Sequence, residues 1–164
     1  MKTSKLLSLA IAGAFLASCG NGSKSDNNKS GAIGASDAAS RVYVAPGQYD
    51  EYYAFLSGGF SGQLAAYGLP SGRLLKVIPV FSQDPEKAYG YNEETKPLLQ
   101  TTHGFIPWDD THHPDISQTN GEMDGRWIFI NANNTPRVAR ISLKTFETEE
   151  ILELPNAAGN HSST

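Results

Sequence analysis

Two stretches of the chain carry the same rhythm of apolar and polar positions. The first is FLSGGFSGQLAAYGLPSGRLLKVIPV, Phe55 to Val80, and the second is FINANNTPRVARISLKTFETEEILEL, Phe129 to Leu154. They align without a gap at an offset of 74 residues, Phe55 on Phe129. Each opens with an aromatic-led strand, breaks at Gly, Asn or Pro, and resumes as a second strand. In the first copy Leu64, Ala66 and Gly68 alternate with Ala65, Tyr67 and Leu69. LPSGR then makes a turn into a third strand bearing Leu75, Val77 and Val80. In the second copy Val138, Ala139, Ile141 and Leu143 lead to the turn KTFET, and Ile151 and Leu154 follow. Period-two alternation between turn residues predicts strands, and the frequent Gly and Pro disfavour helix.

Three antiparallel strands that recur in sequence predict the blades of a β-propeller, an all-β fold. A blade needs about 40–50 residues, so the offset leaves an excess, residues 82 to 124. The segment WDDTHHPD, Trp108 to Asp115, lies in it, and His161 follows the second copy. The histidines are therefore expected on connections between repeats, where a rigid scaffold commonly carries function. Two blades cannot close a ring, so the chain reads as the N-terminal part of a longer propeller, with residues 41 to 164 supplying about two blades. GGFSG, residues 58 to 62, lacks the helix and Lys/Ser context of a phosphate-binding loop and reads as a turn at a strand end. Tyr52, Tyr53, Trp108 and Trp127 read as core or inter-blade packing.

The start of the chain is of another kind. Lys2 and Lys5 precede a short apolar run, Leu6 to Leu16, which closes with LASC, Leu16 to Cys19. That is the pattern of a bacterial lipoprotein signal: residues 1–18 are a leader and Cys19, the only cysteine, is the lipidation site. No twin-arginine pair precedes the apolar run, so export through the general secretory route is expected, and any metal would have to be inserted after export. Residues 19–40, rich in Gly, Ser, Asn and Ala, form a flexible tether. No stretch reaches the roughly 18 to 20 apolar residues of a membrane-spanning helix. A net charge of −4 without a basic cluster argues against nucleic acid as a partner.

Of the four histidines, His112 and His113 are adjacent. Neighbouring side chains on an extended strand point to opposite faces, and Pro114 biases His113 towards an extended conformation. One ion is then hard to grip from one side unless the backbone turns between them. Each imidazole could instead take a different ion of a cluster, and imidazole suits copper, zinc, iron and nickel. With Cys19 lipidated, no thiolate remains for an iron–sulfur or Cys-based zinc site. Asp109 or Asp110 could orient a metal-bound imidazole. A solvated Asp/His loop is the plain alternative for the stretch, and His103 reads as structural or loop polar.

Three segments carry a resemblance: DDTHHP (109 to 114), DGRWIFINANNTPRVARISL (124 to 143) and LPNAAGNH (154 to 161). From about Tyr43 onward the chain resembles the N-terminal propeller region of nitrous-oxide reductases, in the branch with a secretory-type signal. The resemblance implies a seven-bladed propeller followed by a cupredoxin domain with a two-copper electron-entry centre. It also implies reduction of nitrous oxide to dinitrogen and water at a four-copper sulfide cluster, the last step of denitrification. His112, His113 and His161 then match copper ligands, and Asp110 matches a carboxylate at the edge of the cavity, a candidate to support protonation of the departing oxygen. Implied partners are a cytochrome c or cupredoxin donor and a second copy in a homodimer; calcium is a further ion the resemblance allows in the full-length parent. Four histidines cannot supply the seven that the family's cluster uses, so the fragment alone is expected to be inactive. Two other readings compete: a lipid-anchored β-propeller that binds a ligand without a catalytic metal, and a small metal-binding lipoprotein.

Overall fold

The two repeating stretches fold as two antiparallel sheets with one shared register. In this computed structural model, which describes residues 38–157, the first unit is β1 (Tyr52–Ser57), β2 (Gln63–Leu69) and β3 (Leu74–Pro79). The second sheet runs β6 (Thr111–Thr119), β7 (Glu122–Ala132), β8 (Arg137–Ser142) and β9 (Glu147–Glu153). Phe55 stands opposite Ala66 as Phe129 stands opposite Arg140, and Leu64 opposite Ile78 as Val138 opposite Leu152. Both units slip register at the same place, between Ala66 and Tyr67 and between Arg140 and Ile141. The all-β expectation is met: the described helices are a five-residue turn of α-helix, Ala38–Val42, and a 3-10 turn, Lys96–Leu99. The leader, Cys19, His161 and all of the tether but residues 38 to 40 lie outside the described residues; those three open the short helix.

Although the register repeats, the buried face does not. Leu64, Ala66 and Ile78 are buried in the first unit, whereas Ala139 and Ile141 are buried in the second; the partners of Leu64 and Ala66 there, Val138 and Arg140, are half-buried. One face of the first sheet therefore packs on the opposite face of the second, a head-to-tail stacking that a third sheet could continue. The shared core is Leu64, Ile78, Val80 and Phe81 against Ile128, Ile130, Ala132, Ala139 and Ile141. Each fully buried Leu, Ile or Phe there contributes about 1.5–3 kcal/mol. On the second sheet's other face the Arg140 guanidinium stacks on Trp127 at 4.4 Å.

The second sheet has a strand that the first lacks. β6 pairs along β7, and Asn120 and Gly121, both with positive φ, turn one into the other, a two-residue hairpin turn suited to the twist of the strands. Between β3 and β6 the excess residues are ordered. They hold the 3-10 turn and a small hairpin, β4 (Gln100–Thr101) with β5 (Gly104–Phe105). Leu99 and Tyr89 are buried, and the Tyr89 hydroxyl donates to the Val80 carbonyl at 3.0 Å. The hairpin is fastened to the end of β9, where Glu153 accepts from the Thr102 amide and hydroxyl, both at 2.8 Å. These two bonds hold the Glu153 carboxyl below its ordinary pKa.

Tyr52, Tyr53 and Trp108, expected as packing residues, are largely exposed. Tyr52 and Tyr53 belong to β1, which among the described residues pairs on one side only. Tyr53 still meets Phe146 edge-on at 6.1 Å. GGFSG is the β1–β2 turn, as expected.

Candidate functional site

The segment from Trp108 to Thr111 is braced from both sheets before the histidines are reached. The Trp108 indole N–H donates to the Phe60 carbonyl at 2.7 Å. The Asp109 amide donates to Phe81 O at 2.7 Å and the Thr111 amide to Gly59 O at 3.0 Å. The Thr111 hydroxyl adds a bond to Gln63 O at 2.9 Å. All of this requires close approach to the β1–β2 turn. Gly62 sits there with φ +65, and a Cβ on it would lie 2.8 Å from both Asp109 O and Phe81 O. Only glycine fits such a crossing without displacing backbone.

Asp109 is not available to a histidine. It is almost completely buried and accepts from the Asn134 amide and side-chain amide, each at 2.9 Å, and from the Thr135 hydroxyl at 2.6 Å. Arg137, fully buried, faces it at 3.5 Å, gives its Nε–H to Thr135 Oγ1 at 2.7 Å and lies over the Phe81 ring at 5.0 Å. Burial pushes the Arg137 pKa down, and Asp109 opposes that shift; the guanidinium stays charged. The pair ties the strand entering β6 to the turn between β7 and β8. Sequence reasoning missed this role. Its one trace is the NNTPR stretch, a cluster of turn residues and hydroxyls running into a charged residue at a strand start.

His112 and His113 stand on β6 itself, at the edge of the second sheet, not on an inter-repeat loop. His112 pairs with Asn131 and Asp115 with Phe129, so His113 and Pro114 together oppose Ile130 alone. This is a β-bulge, a place where a strand tolerates proline and re-aims side chains. His113 accordingly has φ +49, despite the extended bias that the following proline imposes. A left-handed backbone at a non-glycine position costs about 1–3 kcal/mol, and such strain gathers at functional sites. The turn between the histidines, which an extended strand would not provide, is thus present. Their rings approach to 5.9 Å between centroids, with planes inclined at 49°.

Asp110 completes the cluster. Its side chain is about 5% exposed, one oxygen lies 3.9 Å from His112 Nε2, and the other, Oδ1, is buried with no hydrogen-bond partner. At 3.9 Å the contact is too long for a hydrogen bond, so Asp110 does not fix the His112 tautomer here. A buried carboxylate oxygen without a hydrogen-bond partner, on a side chain whose other oxygen faces His112, is a place for an ion or a water. The donor set fits part of a site for a metal that accepts imidazole nitrogen. Among the described residues no group of three or more His, Cys, Asp or Glu could hold an ion. His103 is apart from His112 and His113, exposed in the β4–β5 turn with its amide bonded to Thr101 Oγ1 at 3.1 Å. No helix among the described residues is long and apolar enough to cross a membrane.

No protein-family model matches the chain. Among curated proteins it is 40% identical over 153 residues to the nitrous-oxide reductase of Pseudomonas fluorescens and 35% identical over 152 residues to that of Stutzerimonas stutzeri. Each match takes in 93% of this chain and 24% of the relative. The nitrous-oxide reductase of Cupriavidus necator is 39% identical over 136 residues, 80% of this chain and 21% of that protein. The resemblance read from the three segments is borne out: nearly the whole chain is similar to nitrous-oxide reductases. It spans about a quarter of their length.

Proposed function

We propose that this chain is the N-terminal part of a nitrous-oxide reductase, an oxidoreductase that takes nitrous oxide to dinitrogen and water. The carrying observation is the β6 bulge, which sets the His112 and His113 rings on converging courses beside an unpartnered Asp110 oxygen. Similarity to enzymes of that name over 93% of the chain supports the reading. The stacking of one sheet's face on the opposite face of the next supports a propeller, closed by further blades of the parent.

His112, His113 and His161 would hold copper, the last from the segment that follows β9. Neutral imidazoles bind such ions without accumulating negative charge. Copper bound there would supply the two electrons that the inert substrate needs. The left-handed backbone at His113, together with the bulge and the braces on residues 108 to 111, would set where the two imidazoles leave the strand. Asp110, or a water held by it, would stand at the cavity edge and support protonation of the oxygen that leaves. Electrons would come from a cytochrome c or a cupredoxin, through a two-copper centre in the rest of the parent, which would work as a homodimer. The parent would be exported to the periplasm and anchored through lipidated Cys19.

The test is made on the full-length parent. His112→Ala, His113→Ala and His161→Ala should each lower copper per subunit and abolish nitrous oxide consumption driven by reduced methyl viologen. Wild-type copper content in any of them refutes that ligand assignment. Cys19→Ala should move the protein from the membrane fraction to the soluble one; retention in the membrane refutes the lipid anchor.

A further inference from the structure

We propose that the β7–β8 turn, residues 133 to 137, is a positioning element that sets the segment leading into His112 and His113 relative to the end of β9. The inference rests on the reading of His112, His113 and His161 as copper ligands and extends it to residues that touch no metal.

The turn reaches both segments. Towards β6, the Asn133 amide donates to Asp110 O at 3.2 Å, and Asn134 and Thr135 donate to the Asp109 carboxylate. Towards the chain that continues to His161, Pro136 O accepts from the Leu154 amide at 2.7 Å, and Arg137 pairs with Glu153 across β8 and β9. Arg137 lies at the centre, bonded to Thr135, facing Asp109 and seated on Phe81. A shift of the turn would therefore move Asp110 and Leu154 together.

An ordinary strand connection does not need this. A fully buried arginine and a fully buried aspartate are costly to desolvate, and replacing such a pair with apolar residues is often neutral or stabilising. The turn uses them to fix one geometry where the sheet pairing leaves freedom. Pairing of β6 with β7 begins only at Thr111 and His112 and slips register beside His113, so it does not reach residues 109 and 110. These are held by the Asp109 amide bond to Phe81 O on one side and by four bonds from the turn on the other. Groups that orient metal ligands from behind typically change metal affinity or activity by about 10-fold to 100-fold when removed.

The experiment uses the full-length parent with Thr135→Val, Thr135→Ser and Thr148→Val. Thr135→Val removes the donor to Asp109 and the acceptor for Arg137 at constant shape; Thr135→Ser keeps both. Thr148→Val removes a buried hydroxyl that bonds Pro79 O at 2.7 Å, outside the turn. Copper per folded subunit, the visible absorption of the copper-loaded protein, kcat and KM are measured, together with the melting temperature of the metal-free form. Thr135→Val should weaken copper retention or lower kcat by about 10-fold, with a changed absorption spectrum; Thr135→Ser should restore all of these. Thr148→Val should lower the melting temperature alone. A Thr135→Val protein that melts earlier but keeps wild-type copper, spectrum and kcat overturns the inference. If Thr135→Val does not accumulate folded, Asn134→Ala, which removes one side-chain donor, is judged by the same criteria. His112→Ala run alongside separates the two claims: copper lost there but kept in Thr135→Val overturns the positioning role only, whereas copper kept in both overturns the ligand reading as well.

Discussion

Replacing Arg137 with Met probes the buried pair most directly. Arg137 and Asp109 side chains are each about 1% exposed and stand 3.5 Å apart. Removing one partner of such a pair costs about 3–5 kcal/mol, because the other is left charged and buried. Two features of this site pull towards the lower figure. Asp109 keeps its donors from Asn134, Thr135 and the Asp110 amide, and a methionine sulfur against Phe81 recovers part of the lost stacking, about 1 kcal/mol. A loss of about 3 kcal/mol corresponds to local opening about 100 times more frequent. The assay is native-state hydrogen exchange on the full-length parent, read on peptides covering residues 128 to 142, which avoids treating a multi-domain protein as two-state. Asp109→Asn should cost a similar amount, and the double variant less than the two losses added, by about 0.5–3 kcal/mol of coupling. Exchange in Arg137→Met within about 3-fold of wild type, or strictly additive losses, would show that the pair does not hold the turn.

Two further substitutions bear on the same frame. Gly62→Ala puts a methyl 2.8 Å from two backbone carbonyls at φ +65; it should destabilise the β1–β2 turn by more than about 1 kcal/mol, seen as faster exchange at residues 59 to 64, and unchanged exchange would contradict the crossing. Glu153→Gln tests pH linkage: Thr102 holds the folded carboxyl below its ordinary pKa, so its stabilisation is complete above the unfolded value and is lost as pH falls through the folded one. The melting temperature of wild type should therefore exceed that of Glu153→Gln at neutral pH and converge on it in acid, whereas a gap that persists at low pH would refute the linkage.

What the sequence determined by itself was periodic. The 74-residue echo, from Phe55 to Phe129, carried strands and turns, because alternation and turn chemistry are local properties of the chain. The DDTHHP phrase likewise singled out the two adjacent histidines. Local patterning placed them wrongly on a loop, since a bulge depends on the partner strand: His113 and Pro114 become one residue too many only when β7 is alongside. Which face of each repeat is buried was also beyond the pattern, because the two units share a register yet stack opposite faces together. The fate of Asp109 was decided only in three dimensions. Nothing in the neighbourhood of residue 109 announces that Asn134, Thr135 and Arg137 will surround it, for a buried charge finds its partner through space, and its cost is met only when the whole fold has closed around both.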